Sequence, residues 1–309
     1  MALNENTKNL IRSVTDNDLE KAKEIIKIMV SNETSSKNKY FCNSIKAKLE
    51  TQHKFIELPY NLQNILKMED VSNFNENRYF LTEREREVFN QICMAKNTNE
   101  QLSEMGIRYL NSTFLYGESG TGKTTFGKYI AYKLKMPFAY LNFSYCIDSH
   151  LGETSKNINK VFDYVSNQKC VLLLDEIDAI GIKRGKEDLG EMARIVIGLM
   201  QAFDLLENDL IVIGATNRKD MIDEALIRRF SIHHEVKALN QYEVSFLIQK
   251  ILQDLKIEYD IEDIQKYSKE HNKQSEIVND ITKAIVKMLN EKEKFTLSYK
   301  RKKAVHEKE

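Results

Sequence analysis

The stretch Ser112–Thr125, "STFLYGESGTGKTT", decides the fold. It begins with the apolar residues of a predicted strand, passes through a glycine-rich loop and enters a helical pattern at about residue 123. The loop Gly117–Thr125 fits the spacing GxxxxGK[ST]. Glycines allow backbone N–H groups to surround phosphate oxygens without a Cβ in the way, and a lysine supplies positive charge. The stretch therefore predicts a nucleoside triphosphate site.

Every position of this loop is a candidate contact for ATP. The positions are Gly117, Glu118, Ser119, Gly120, Thr121, Gly122, Lys123, Thr124 and Thr125. Lys123 is expected to reach the outer phosphates. The Thr124 hydroxyl is expected to ligate Mg²⁺, the second predicted cofactor.

Short apolar runs alternate with helical patterns after residue 112. The runs are "STFLYG", "FAYLNF", "CVLLLD", "LIVIGA" and "SIHHEV", with helices predicted at 123–135, 154–167 and 188–206. Such alternation is typical of a parallel sheet with helices on both faces. The predicted fold class is α/β, a P-loop NTPase sheet.

Two adjacent carboxylates, Asp175 and Glu176, end the apolar run "VLLLDEID". Successive strand residues point to opposite sides, so the pair can do two jobs. Asp175 is predicted to hold the Mg²⁺ shell through water, and Glu176 to polarise the attacking water as general base. This arrangement favours hydrolysis over transfer to a second substrate.

A third strand, "LIVIGATN", ends at Asn217. A neutral amide at that strand tip can hydrogen-bond both a water molecule and the γ-phosphate. We therefore count Asn217, with Glu176 and Lys123, among the catalytic candidates, at the carboxyl edge of the sheet where such folds bind ligands.

The rest of the chain is predicted to be helical. Residues 1–75 are polar with amphipathic patterns in "LEKAKEIIKIMV" and "SIKAKLETQ", and Thr82 with Glu85 forms a capping-box pattern. The predicted divisions are an N-terminal helical recognition module at 1–75, a large α/β subdomain at 76–238, a helical lid at 239–297 and a basic tail at 298–309. Ser275 is predicted to cap the last lid helix or, less favoured, to contact adenine.

The motifs "GESGTGKTT", "LLLDEIDAIG" and "GATNRKDMIDEALIRRF" resemble those of AAA ATPases. The resemblance covers roughly residues 78–292 and is to the branch that includes katanin, spastin and the proteasomal ATPases. It implies a Mg²⁺-dependent ATPase that forms a ring, usually a hexamer, with ATP bound between subunits.

The same resemblance gives a role to the pair Arg228 and Arg229. Arginines at this place in the family project onto the γ-phosphate held by the neighbouring subunit, and a guanidinium stabilises charge on a transferred phosphoryl group. Which of the two makes the contact, or whether they share it, stays open.

A pore loop is also implied, at His150, Leu151 and Gly152. Relatives that thread polypeptides carry an aromatic residue where this chain has His150. Histidine is smaller and more polar, so the resemblance leaves open whether this loop can hold a threaded polypeptide.

Three functions remain open on these grounds. The first is a ring motor that remodels, unfolds or disassembles a protein client recognised by the N-terminal helices. The second is an ATP-gated switch for a separate effector enzyme, a protease or nuclease. A nucleic-acid loader is less favoured, because aromatic residues and basic residues are not interleaved.

The composition of the chain limits its possible partners and its cellular compartment. The chain has 309 residues, with 46 Lys plus Arg and 46 Asp plus Glu, so no global charge attracts nucleic acid or membrane. Its apolar runs are far shorter than the roughly 20 residues that cross a bilayer. Four cysteines without metal spacing and no secretory signal predict reduced thiols and a cytoplasmic protein.

Overall fold

The structure, a computed structural model, describes residues 5–15, 19–33, 38, 42, 45, 58–59, 62–143, 151–166, 168–180, 191–206 and 210–297. The chain divides into two compact units, Met1–Glu57 and Leu58–Glu309. This division lies earlier than the boundary predicted at residue 75, because Leu66–Glu69 forms a strand of the sheet in the second unit.

Among its described residues, the first unit shows the helices α1 (Glu5–Thr15) and α2 (Leu19–Asn32). The helix predicted from "LEKAKEIIKIMV" is α2, and its buried residues include Ala22 and Val30. The pattern "SIKAKLETQ" lies almost wholly outside the described residues.

The second unit carries the sheet and the remaining helices. Its strands are β1 (Leu66–Glu69), β2 (Asn111–Tyr116), β3 (Phe138–Asn142), β4 (Val171–Asp175), β5 (Ile211–Thr216) and β6 (Ile232–Glu235). Its helices are α3 (Glu83–Glu104), α4 (Lys123–Leu134), α5 (Leu151–Ser166), α6 (Glu191–Leu205), α7 (Glu224–Ile227), α8 (Gln241–Asp254), α9 (Ile261–Tyr267) and α10 (Gln274–Glu291).

The six strands follow the order β1-β3-β4-β5-β2-β6. Strands β2 to β6 are parallel, as predicted, and the α/β fold class is confirmed. The edge strand β1 is the exception, since it pairs antiparallel with β3. Its sequence, "LKME", alternates apolar and polar residues and has one fully buried side chain, Leu66, but the run is only four residues long and no strand is predicted from it.

Each face of the sheet is covered by helices because alternate strand residues are apolar on both sides. Leu172 and Leu174 pack with Phe162 of α5 and Phe203 of α6. Leu173, between them, packs in a second cluster on the opposite face, with residues of α3 and α4. The described helices include none with the length and apolar content to span a bilayer.

A capping box explains where α3 begins, and an apolar core holds the helices of the lid together. Thr82 and Glu85 form the predicted capping box at the start of α3, and the Tyr79 hydroxyl donates to the buried Glu85 carboxylate at 2.6 Å. In the lid, helices α8, α9 and α10 enclose their own apolar core, including Leu247, Ile264 and Ile277.

Gly214 in β5 lies where the two segments that carry Glu176 and the arginine pair are packed together. A Cβ at this position would come 2.6 Å from Ile177 Cδ1 and 2.6 Å from Phe230 Cζ. Both neighbours are fully or almost fully buried. The absence of a side chain therefore lets the residues next to Glu176 and Arg229 meet over the strand.

We expect Gly214→Ala to lower the free energy of unfolding by about 1–3 kcal/mol, because the added methyl group overpacks this contact. The matched control is Gly198→Ala in α6, where a Cβ meets nothing within 4 Å. That change is expected to raise stability by about 0.5–1 kcal/mol, since it removes a helical glycine. Urea unfolding monitored by circular dichroism measures both, and equal effects at the two positions would contradict the packing argument.

Candidate functional site

Three parallel strands bring the predicted site residues to one edge of the sheet. Strand β5 lies between β4 and β2, with Tyr116 paired to Thr216 and Leu174 paired to Gly214. The phosphate loop follows β2, Asp175 ends β4 and Asn217 follows β5. Residues separated by a hundred positions in sequence therefore meet at the carboxyl ends of adjacent strands.

The loop 117–122 depends on its glycines. Gly117, Gly120 and Gly122 have φ values of 146°, 82° and 112°, in the region that disfavours other residues. A side chain at Gly117 would also run into the carbonyl oxygen of Val236, and one at Gly122 would lie 3.2 Å from the Tyr79 ring. The backbone is thus free to curve tightly in front of α4.

Lys123 begins α4 and turns its side chain back into the loop. Its Nζ donates to the carbonyl oxygens of Gly117 at 2.9 Å and Glu118 at 2.8 Å. Burial lowers the pKa of Lys123, and the charges of Asp175 and Asp178 oppose that shift. The two loop carbonyls therefore hold the ammonium group within the electrostatic influence of Asp175 and Asp178.

Thr124 and Asp175 are joined directly. The Thr124 hydroxyl donates to Asp175 Oδ2 at 3.0 Å, which links the phosphate loop to the end of β4. Burial raises the pKa of Asp175, while hydrogen bonds from Thr124 and from the Glu176 N–H oppose the rise. A partly desolvated carboxylate beside a hydroxyl is the hard oxygen set that Mg²⁺ prefers, so these residues fit the predicted ion.

Glu176 lies in an unusual backbone conformation. Its φ of 55° and ψ of 45° are left-handed, and its N–H donates to Asp175 Oδ1 at 3.0 Å. Non-glycine residues in this region are uncommon and concentrate at functional sites. The turn separates the direction of Glu176 from that of Asp175, as two different roles require.

A hydrogen-bonded chain that was not predicted links β4 to β5. The Thr216 hydroxyl donates to Asp178 Oδ1 at 2.6 Å and accepts from the Arg218 N–H at 2.9 Å. These bonds fix the backbone on both sides of Asn217, whose own side chain is exposed. The motif "DEID" contains Asp178, but its sequence carries no indication of this partner.

The lid touches the phosphate loop at the start of α10. The Ser275 N–H donates to the Gly120 carbonyl at 3.2 Å, and Lys273 Nζ lies 3.0 Å from Glu118 Oε2. The capping role predicted for Ser275 is wrong, because Lys273 is the N-cap residue and Ser275 already lies in the helix. The adjacent Gln274 is buried, and sequence analysis missed it.

The arginine pair follows α7. The side chain of Arg228 is exposed, and that of Arg229 is held by an ion pair. Arg228 is 78% exposed and has one long contact, 3.3 Å to Glu224. Arg229 is 33% exposed, and Asp204 accepts from its Nε at 3.3 Å and from its Nη2 at 3.1 Å. In the part of the chain that the structure describes, both side chains make their hydrogen bonds with α6 and α7, and neither is bonded to the phosphate loop.

The predicted pore loop is only partly covered. His150 lies outside the described residues. Leu151 and Gly152 are the first two residues of α5.

Comparison with known proteins places this site in a family. The model for "ATPase family associated with various cellular activities (AAA)" matches residues 113–238, which hold the phosphate loop, Asp175, Glu176 and both arginines. Peroxisomal ATPase PEX6 of Saccharomyces cerevisiae is 37% identical over 134 residues, 41% of this chain and 13% of the relative.

Two proteasomal relatives are also similar. The 26S proteasome subunit RPT4 of Saccharomyces cerevisiae is 32% identical over 163 residues, 51% of this chain and 37% of the relative. A putative 26S proteasome regulatory subunit homolog of Methanothermobacter thermautotrophicus is 28% identical over 165 residues, 52% of this chain and 44% of the relative. This chain thus spans less than half the length of each relative. The predicted family is confirmed at the level of the domain: residues 113–238 are an ATPase domain of the AAA family.

Proposed function

We propose that this chain binds MgATP at the edge of its sheet, hydrolyses it and uses the energy to remodel a protein client. The observation that carries the proposal is the hydrogen bond between Thr124 and Asp175. It joins the two motifs that a phosphoryl-transfer site needs, the phosphate loop and the acidic strand end. Lys123 would neutralise the outer phosphates, Asp175 would hold the Mg²⁺ shell through water, and Glu176 would polarise the attacking water.

We further propose that the active form is a homo-oligomeric ring, with a hexamer as the expected size. The exposed Arg228 supports this, because within the described residues its guanidinium makes one long contact, to Glu224, and most of its surface can face another subunit. Arg229 forms an ion pair with Asp204 and is therefore suited to fixing the loop that presents Arg228. The same proposal has three further parts. The chain belongs to the branch with katanin and spastin, its N-terminal helices recognise the client, and it acts in the cytoplasm.

The nucleotide part is tested by calorimetric titration of ATP with and without Mg²⁺. Wild type is expected to bind MgATP more tightly than ATP alone. Thr124→Val removes the hydroxyl and keeps the shape of the side chain. In this variant the ratio of the MgATP affinity to the affinity for ATP alone should fall to less than about a quarter of the wild-type ratio. Thr282→Val is the control, because Thr282 donates only to the Val278 carbonyl in α10. Equal Mg²⁺ dependence in wild type and Thr124→Val would contradict the site.

The motor form is separated from the switch form by a permanently unfolded polypeptide. A motor is expected to hydrolyse ATP faster when such a polypeptide is added, and a folded protein of the same composition should have no effect. Unchanged hydrolysis, together with partner binding that a non-hydrolysable ATP analogue supports as well as ATP, would instead favour the ATP-gated switch.

A further inference from the structure

His233 forms hydrogen bonds to the turn that carries the arginine pair. Its Nε2 lies 3.0 Å from the Ile227 carbonyl oxygen and 3.0 Å from the Phe230 carbonyl oxygen. Carbonyl oxygens only accept hydrogen bonds, so Nε2 must carry a hydrogen, which the two oxygens share. Ile227 precedes Arg228, and Phe230 follows Arg229. One imidazole therefore connects the two carbonyls that flank the arginine pair.

Strand pairing and core packing fix the position of this ring. His233 lies in β6 opposite Phe114 of β2, and the two rings meet edge to face with their centroids 6.1 Å apart. The Phe230 ring packs against the same Phe114 at 5.4 Å and against Phe203 of α6 at 5.2 Å, both measured between centroids. Phe230 is almost fully buried. The sheet and the core thus hold both the histidine and one end of the turn.

A hydroxyl group of β2 reaches a third carbonyl of the same turn. Ser112 Oγ lies 3.3 Å from the Arg229 carbonyl oxygen, and it also accepts from the Ser231 N–H at 3.0 Å. This contact adds to the two carbonyls that His233 holds. The turn that presents Arg228 is therefore fixed through its backbone, in addition to the side-chain ion pair of Arg229.

A fixed backbone matters for an exposed arginine, because a catalytic group that is misplaced by about 1 Å can cost about 10²-fold in rate. We propose that His233 is a positioning residue for Arg228, and that its shared hydrogen bond holds the turn so that the guanidinium reaches the γ-phosphate of a neighbouring subunit. The inference rests on the proposed arginine contact between subunits. It assigns to that contact a residue of β6 that acts through the backbone of the turn.

Single variants test the hydrogen bond. His233 is an exposed residue, so its replacement leaves no cavity in the core. At saturating MgATP we expect His233→Leu, which removes the donor, to lower turnover about three- to tenfold, the scale of one net hydrogen bond. Its MgATP affinity should stay within about a factor of two, because the phosphate loop is unchanged. His233→Gln restores an N–H donor and should recover about half of wild-type turnover or more.

The control is Glu235→Gln, an exposed neighbour in β6 whose carboxylate pairs with Lys237. It should change neither turnover nor affinity. Turnover of His233→Gln as low as that of His233→Leu would contradict the hydrogen bond. A loss of MgATP affinity in His233→Leu that matches its loss of turnover would place the effect in the nucleotide site of the same subunit and would contradict the positioning role.

Subunit mixing separates the positioning of Arg228 from any defect within the altered subunit. Wild type is mixed with an excess of Glu176→Gln or of the double variant Glu176→Gln/His233→Leu. The two added proteins share the same defective site, so they differ only in how they present the arginine to a wild-type neighbour. Turnover per wild-type subunit should be about three- to tenfold lower with the double variant. Equal turnover would overturn the inference, since His233 would then act only within its own subunit.

A third added protein, Glu176→Gln/Arg228→Ala, distinguishes this inference from the proposed function. If it lowers turnover per wild-type subunit and the His233 double variant does not, the positioning role alone is wrong. If neither lowers it, the arginine contact between subunits is wrong, and the positioning role is wrong with it. If His233→Leu does not fold, His233→Phe, which keeps an aromatic ring against Phe114, gives the same comparison.

Discussion

Replacement of Glu176 by glutamine is expected to lower ATP turnover by about 10² to 10⁴-fold, the usual contribution of a positioned general base. The amide cannot take a proton from water, but it keeps the size of the side chain. MgATP binding is expected to stay within a factor of about three, because Thr124, Asp175 and the glycine loop are unchanged. Phosphate release and a direct binding titration measure the two effects separately.

The control for this prediction is Glu262→Gln, an exposed glutamate in α9 that lies in the lid and outside the site. It is expected to leave turnover unchanged. Near-normal turnover in Glu176→Gln would show that another group activates the water. Loss of binding along with turnover would show that the left-handed turn at Glu176 is needed for the shape of the site.

Truncation of Arg228 to alanine is expected to lower turnover by about 10³-fold or more, the scale associated with an arginine that stabilises the transferred phosphoryl group. Arg229→Ala is expected to cost less, because Asp204 already holds that guanidinium and its contribution is to fix the loop. Turnover should be measured at saturating MgATP, so that the comparison concerns the chemical step.

A matched control and a variant of the Arg229 partner sharpen the contrast. Arg108→Ala removes an exposed arginine elsewhere and should have no effect. Asp204→Asn should reproduce part of the Arg229→Ala loss, because it weakens the brace and keeps both arginines. A larger loss in Arg229→Ala than in Arg228→Ala would reverse the two roles.

Much of this site could be predicted from sequence because its motifs obey local rules. Positive φ values require glycine at three places in the phosphate loop, and a buried parallel strand is apolar along its whole length. The strand ends that carry Asp175 and Asn217 could therefore be predicted from the sequence, and so could the capping box of α3.

The remainder depends on pairings between distant segments, which a single sequence does not display. Strand β1 exists because β3 offers an open edge, and the alternation in "LKME" is only four residues long, too short a run to predict the strand by itself. The hydrogen bonds between the Gln274 amide and the Phe80 backbone are similar, since nothing near either residue indicates the other. The different exposure of Arg228 and Arg229 arises from Asp204, which lies in a separate helix. The sequence alone therefore does not predict which of the two adjacent arginines is exposed.

The central claim is that each ATP is hydrolysed with an arginine from a second subunit, and subunit mixing tests it most directly. Wild-type protein is mixed with increasing amounts of the double variant Arg228→Ala/Arg229→Ala at saturating MgATP, while particle size is followed by light scattering. If neighbouring subunits share the site, the particle is ring-sized and turnover per wild-type subunit falls as the variant is added. Constant turnover per wild-type subunit, in particles the size of one chain, would contradict it.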